Sequence, residues 1–199
     1  YTENPDVSIA SRLATIFLKD EQYQKALPYL QAVAGQDVDD MNTRVKLGLV
    51  QMELKRFDQA TKTFNEILAK NPESDRVRYY LGSLYEETKN QDLAMENFLQ
   101  IPPQSKLYTE AVLHVGYIMK ERKNLDAAKG VVRDAIRKSP NTNNFYLFLA
   151  NLEEESKNLP EATRVLEQAV ERFSEDEKTR YYLGSLYDRQ GKVDKGLVQ

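Results

Sequence analysis

Cysteine and tryptophan are both absent from the 199 residues, and histidine occurs once. Without cysteine the chain cannot carry a disulfide framework, a thiolate zinc site or thiol chemistry. The single histidine, His114, has no metal-ligand spacing around it, which predicts a structural or solvated side chain. Glycine is sparse, at 8 residues, and forms no phosphate-binding loop. Gly82-Ser83 and Gly184-Ser185 sit in LGSLY segments that lack the G-x-S-x-G spacing and the strand-to-turn setting of a nucleophile elbow.

No apolar run approaches the roughly 20 residues that a membrane helix needs, and no basic-then-apolar leader opens the chain. Basic surplus is missing too: 28 Lys and Arg stand against 31 Asp and Glu, a net charge of -3. That disfavours a phosphate backbone or an anionic membrane as partner. The expectation is therefore no catalytic residue, no cofactor, no metal, no nucleic acid and no membrane insertion by this segment. The chain starts at Tyr1 rather than methionine and is read as part of a longer protein. A cytoplasmic setting is the default, with an exported bacterial one as the alternative.

What the sequence does contain is a repeat. RYYLGSLY at Arg78–Tyr85 recurs at Arg180–Tyr187, an offset of 102 residues or three periods of 34. At that shorter period a large residue precedes a small one six times, from Leu13-Ala14 and Leu47-Gly48 to Leu183-Gly184. After each pair comes another small residue in phase, Ala26, Ala60, Ala94, Ala128, Ala162 and Gly196, followed by Leu30, Phe64, Phe98, Val132 and Leu166. Spacings of three and four place these on one helical face, so each unit reads as two amphipathic helices. Small residues let the two backbones of a hairpin approach while larger ones fill the flanks. One hairpin cannot bury both apolar faces, and stacking the next one completes the core.

Polar turns at Lys89-Asn90, Lys123-Asn124, Lys157-Asn158 and Gly191-Lys192 separate the two helices of a unit. Pro160 suits the first turn of a helix, and Pro72 and Pro140 stop second helices. Pro28, inside a second helix, predicts a bend or a late start. Pro102-Pro103 predicts an early end, with Gln104 to Tyr108 as a longer connection. The run Glu153-Glu154-Glu155 cannot converge on one ion, since consecutive helical positions diverge by about 100°, and is expected on a solvated face. Asp37, Asp39 and Asp40 are expected to cap the helix that follows.

The full pattern resembles the tetratricopeptide repeat. It covers residues 7–40, 41–74, 75–108, 109–142, 143–176 and a partial unit at 177–199, about five and a half repeats in a single domain. The family often has tryptophan early in the first helix; here Ala10, Arg44, Arg78, Val112, Tyr146 and Arg180 take that place. The resemblance implies an all-α solenoid of antiparallel hairpins, wound into a right-handed superhelix whose concave groove is lined by first helices and holds a peptide or helix of another protein. Transferred by repeat position, the groove residues are Arg12, Thr15, Lys46, Leu49, Arg76, Tyr79 and Ser83, then Leu113, Tyr117, Leu147, Asn151, Tyr181 and Ser185. Tyr79, Tyr117 and Tyr181 would be anchors, or rings packed between hairpins.

Some relatives clamp a chaperone C-terminal carboxylate with Lys, Asn, Asn, Lys and Arg. At those places stand Ser11, Thr15, Lys46, Arg76 and Tyr80, or, starting from the fourth unit, Leu113, Tyr117, Phe148, Lys178 and Tyr182, so chaperone tails are disfavoured. The functional expectation is a protein-binding scaffold. Its alternative is self-association, or an assembly element of a larger complex or longer repeat array, in which the apolar end after Gly196 or a helix at Tyr1 to Asp6 pairs with another copy or another domain.

Overall fold

A computed structural model describes residues 6–37 and 39–192, and every regular element among them is an α-helix. The first hairpin is α1 (Val7–Lys19) and α2 (Tyr23–Gln36), the second α3 (Met41–Glu53) and α4 (Phe57–Lys70), the third α5 (Asp75–Glu87) and α6 (Gln91–Leu99). Then follow α7 (Tyr108–Glu121) with α8 (Leu125–Lys138), α9 (Asn143–Glu155) with α10 (Leu159–Arg172), and α11 (Glu177–Arg189). The chain forms two compact units, residues 1–100 and 101–199. The expected helices at Tyr1 to Asp6 and after Gly196 lie outside the described residues, except that Asp6 is the N-cap of α1.

In unit 1 the small-residue pattern works as a socket. Phe64 and Phe98, both essentially buried, lie over Gly48 and Gly82 of their own hairpins. A Cβ on Gly48 would stand 2.5 Å from the Phe64 ring, and one on Gly82 would stand 2.8 Å from Phe98. Each ring contributes about 1.5–3 kcal/mol by leaving water, and only glycine admits it this close. Buried Thr63 donates to the Gln51 amide oxygen at 2.8 Å, so the polar pair between α3 and α4 is satisfied.

Helix ends follow the same period. Asp6, Asp40 and Asp176 are N-caps whose carboxylates accept from the amides of Ser8, Thr43 and Thr179. Asp37 accepts from the amides of Asp39 and Asp40, ordering the turn ahead of α3. α4 ends two residues before Pro72, α8 two before Pro140, and Pro160 lies in the first turn of α10. α6 stops at Leu99 ahead of Pro102-Pro103, and α7 starts at Tyr108.

Of the two readings of Pro28, the late start is not found. α2 begins at Tyr23, five residues before Pro28, so Pro28 does not delay its start. Pro28 and Gln24, whose carbonyl loses its partner, are both exposed, which leaves that oxygen to water. The acidic run is a solvated face only at Glu155, which is exposed. Glu153 is 1% exposed and pairs with Arg133 and Lys129 of α8, Glu154 meets Tyr182 and Arg189 of α11, and Glu155 meets Lys120 of α7. The three carboxylates do diverge, but each into a protein partner.

Candidate functional site: a cleft between two first helices

The residues assigned to the groove divide between the units. In unit 1, Arg12 on α1, Lys46 on α3 and Arg76 on α5 are exposed. Arg76 donates its Nε to the Tyr80 hydroxyl at 3.0 Å, with the guanidinium 5.5 Å from that ring. Tyr79 is half-buried, its ring edge-on to Phe98 at 5.6 Å, so part of it serves as packing. Thr15 and Ser83 turn their hydroxyls onto the carbonyls of Ser11 and Tyr79, a turn back along their own helices.

In unit 2, Leu113, Tyr117, Leu147 and Asn151 line one cleft between α7 and α9 of about 420 Å³, together with Lys120, Asn144 and Phe148. Its floor has a local cause. The residue of α8 in phase with Phe64 and Phe98 is Val132, and the space over Gly116 is taken instead by Phe148 of α9. Phe148 also packs against Tyr117, with ring centroids 4.6 Å apart. Tyr117 remains 49% exposed, an aromatic surface backed by a fixed ring.

The rim is polar. Lys120 donates to Asn151 Oδ1 at 3.3 Å and pairs with Glu155, while Asn144 is exposed at the opposite margin. An apolar floor with carboxamides at its edge can take an apolar side chain and hydrogen-bond the chain on either side of it. Tyr181, one repeat on from Leu147, is 81% exposed on α11 and does not line this cleft.

α11 is tied to α9 beside it. Tyr182 donates to Glu154 at 2.8 Å; burial first, then that carboxylate, pushes the phenol up, while Arg189 holds the Glu154 carboxyl below its usual range. Tyr187, buried and donating to Glu167 at 2.6 Å, is pushed up to about 12. The first of these bonds spans the first helices α9 and α11, and the second ties α11 to α10. Sequence reasoning missed Lys120 and Asn144, although Asn144 stands in phase with Arg76. It also missed a second hollow of about 490 Å³ bounded by Ile136, Tyr146, Gln168, Glu171 and Arg172. No helix among the described residues is long and apolar enough to cross a membrane.

Comparison with known proteins gives a consistent picture. A family model described as tetratricopeptide repeat matches residues 17–79, and a second of the same description matches residues 120–177. Together they span more than half of the chain. No curated protein matches by sequence. Among solved structures, MamA from Desulfovibrio magneticus is similar at 15% identity and a TM-score of 0.64, over 86% of this chain and 97% of that one. A tetratricopeptide repeat protein from Parabacteroides merdae shares 16% identity and a TM-score of 0.66, over 96% and 76%. Pseudomonas aeruginosa pilF shares 17% identity and a TM-score of 0.62, over 96% and 87%. At these identities the likeness is one of fold.

Proposed function

From the fact that the chain belongs to the tetratricopeptide repeat family, we propose that it is a scaffold that holds a segment of a partner protein on its first-helix face, with the α7–α9 cleft as the anchor point. The observation that carries this reading is the convergence of Leu113, Tyr117, Leu147 and Asn151 on one open hollow with a buried aromatic floor. The segment would place an aliphatic or aromatic side chain over Phe148 and meet Asn144 and Asn151 with its backbone. Arg12, Lys46, Arg76 and Tyr181 would contribute on their own helices, as secondary contacts. Chaperone tails fit poorly, because the cleft offers one ammonium, already paired with Glu155, where a carboxylate clamp needs several cations.

A displayed peptide library selected on the chain provides the test. Recovered peptides should share one apolar anchor residue and lose binding to the Leu147→Asp variant, checked for unchanged helicity by circular dichroism. Undiminished binding of those peptides to a chain carrying Tyr117→Ala and Leu147→Asp together would reject the cleft as the site.

A further inference from the structure

Arg44 and Arg78 hold one place on successive first helices, and each bridges to the second helix of its own hairpin. Arg44 on α3 donates to Glu66 on α4, and Arg78 on α5 donates to Gln100 at the end of α6 while also holding the Pro72 carbonyl at 2.7 Å. Glu66 and Gln100 are themselves in phase. The same place on the first helix thus twice sends a guanidinium to the same place on the second.

The α9–α10 hairpin keeps the acceptor without the arginine. Gln168 is in phase with Glu66 and Gln100, but the residue in phase with Arg44 is Tyr146, whose hydroxyl donates back to the Pro140 carbonyl at 3.1 Å. Where the bridge would lie is the hollow bounded by Ile136, Tyr146, Gln168, Glu171 and Arg172. Its volume is about 490 Å³, against about 230 Å³ for the in-phase hollow of unit 1 that Arg44 and Glu66 line. In the α7–α8 hairpin the equivalent acceptor, Asp134, is taken by Arg137 and Lys138 of its own helix. Both walls, on α8 and α10, and the floor on α9 belong to described helices, so the opening is made within the repeat and not at an end of the sequence.

The lining names the occupant. Gln168, Glu171 and Arg172 are exposed at spacings of three and four, on one face of α10. Arg172 is committed: it donates to Asn141 Oδ1 at 2.9 Å, strapping the turn ahead of α9 as Lys70 straps the turn ahead of α3 through Asp39 at 3.0 Å. Gln168 and Glu171 have no partner among the described residues. Half-buried Ile136 and buried Tyr146 supply an apolar floor for the stem and flat face of an arginine, as Tyr80 does for Arg76 at 5.5 Å. An anion would meet Glu171 with like charge, and a purely apolar group would cover Gln168 and Glu171 unpaired.

We propose that this hollow is a second binding site, which takes an arginine side chain of a partner protein. The guanidinium bonds the Gln168 amide oxygen and the Glu171 carboxylate, in place of the bridge that Arg44 and Arg78 make from within the chain. The site shares no lining residue with the α7–α9 cleft, so either can be lost without the other.

The probe is N-acetyl-arginine methylamide, titrated into the isotope-labelled chain and followed at the Gln168 side-chain amide and the Ile136 methyl groups. A ligand of this size should bind with a Kd of about millimolar, shifting these resonances saturably and leaving the Leu113 and Leu147 methyl groups of the cleft in place. Glu171→Lys, with helicity checked by circular dichroism, should weaken binding about tenfold or more. Gln168→Glu, which restores the acceptor of Glu66, should tighten it about threefold or more. N-acetyl-lysine methylamide, a point charge without the planar fork, should bind about fivefold or more weakly than the arginine compound. Absence of saturable Ile136 and Gln168 shifts at about 20 mM would overturn the proposal, as would undiminished binding to Glu171→Lys. So would tighter binding of N-acetyl-glutamate methylamide, which would give the hollow to an anion at Arg172.

Discussion

Replacing Lys89 with glycine should stabilise the protein. The turn after each described first helix carries a left-handed residue at one fixed phase: Glu21, Lys55, Lys89, Lys123 and Lys157 at φ of 55 to 64°, and Gly191 at 72°. Five of these six places hold a residue with a Cβ, and all five are exposed, so the side chain gains little burial in return for its backbone conformation. The left-handed region costs an L-residue roughly 1–2 kcal/mol, from the clash of Cβ with the following carbonyl. Glycine avoids that clash but returns about 0.5–1 kcal/mol through its freer unfolded chain. The net gain expected for Lys89→Gly is about 0.5–1 kcal/mol, or a rise in Tm of about 1–4 °C for a chain of this length. The four lysine sites lie on separate hairpins, so their gains should add to about 2–4 kcal/mol. Thermal and urea unfolding followed by circular dichroism would measure it. Two controls isolate the cause: Lys89→Ala keeps the Cβ and should give no gain, and Gly191→Lys should lose what Lys89→Gly wins. An unchanged or lowered Tm for Lys89→Gly, or an equal gain for Lys89→Ala, would refute the reasoning.

Gly48→Ala drives a methyl group to 2.5 Å from the Phe64 ring and should cost about 1–3 kcal/mol in urea denaturation, through overpacking. Glu153→Ala removes the buried partner of Arg133 and Lys129; because both cations keep carboxylates elsewhere, Glu161 and Asp126, the loss should be about 2–3 kcal/mol, and Arg133→Met with Glu153→Met should recover most of it. Asp40 and Asp176 have carboxyls held below their usual range, the first by the side chain and then the amide of Thr43, the second by the amide and then the side chain of Thr179. A depressed folded pKa stabilises above the unfolded value of about 3.9 and is lost as pH falls through the folded one. Acid titration of Tm should accordingly fall less steeply below pH of about 4 in the Asp40→Asn, Asp176→Asn variant than in the parent, since Asn caps without a charge.

Much of the fold could be read along the chain because a hairpin's packing is local. The two helices meet within one period, so Ala14 and Ala26, or Gly48 and Phe64, announce each other by spacing alone. Helix ends at Pro72, Pro140 and Pro102 were equally legible, since proline acts through its own ring and its missing donor. Pro28 was not, because whether an unbonded carbonyl is tolerated depends on whether water reaches it. Of the cleft, Leu113, Tyr117, Leu147 and Asn151 followed from repeat position, and Asn144, in phase with Arg76, was open to the same reasoning; Lys120 was not, because its place at the rim depends on how α7 and α9 approach.

By itself, then, the sequence determined the all-α class, the period of 34, the hairpin as the unit and the faces each helix buries within its own hairpin. Those properties follow from apolar spacing, small residues at crossings and turn chemistry, all of which act over a few residues. The tertiary structure alone decided where Glu153, Glu154 and Glu155 turn, and that Phe148 rather than Val132 occupies the space over Gly116. Each of these depends on which side chain arrives from a neighbouring helix, and an apolar or charged letter in a sequence reads the same whether its neighbour is there or not.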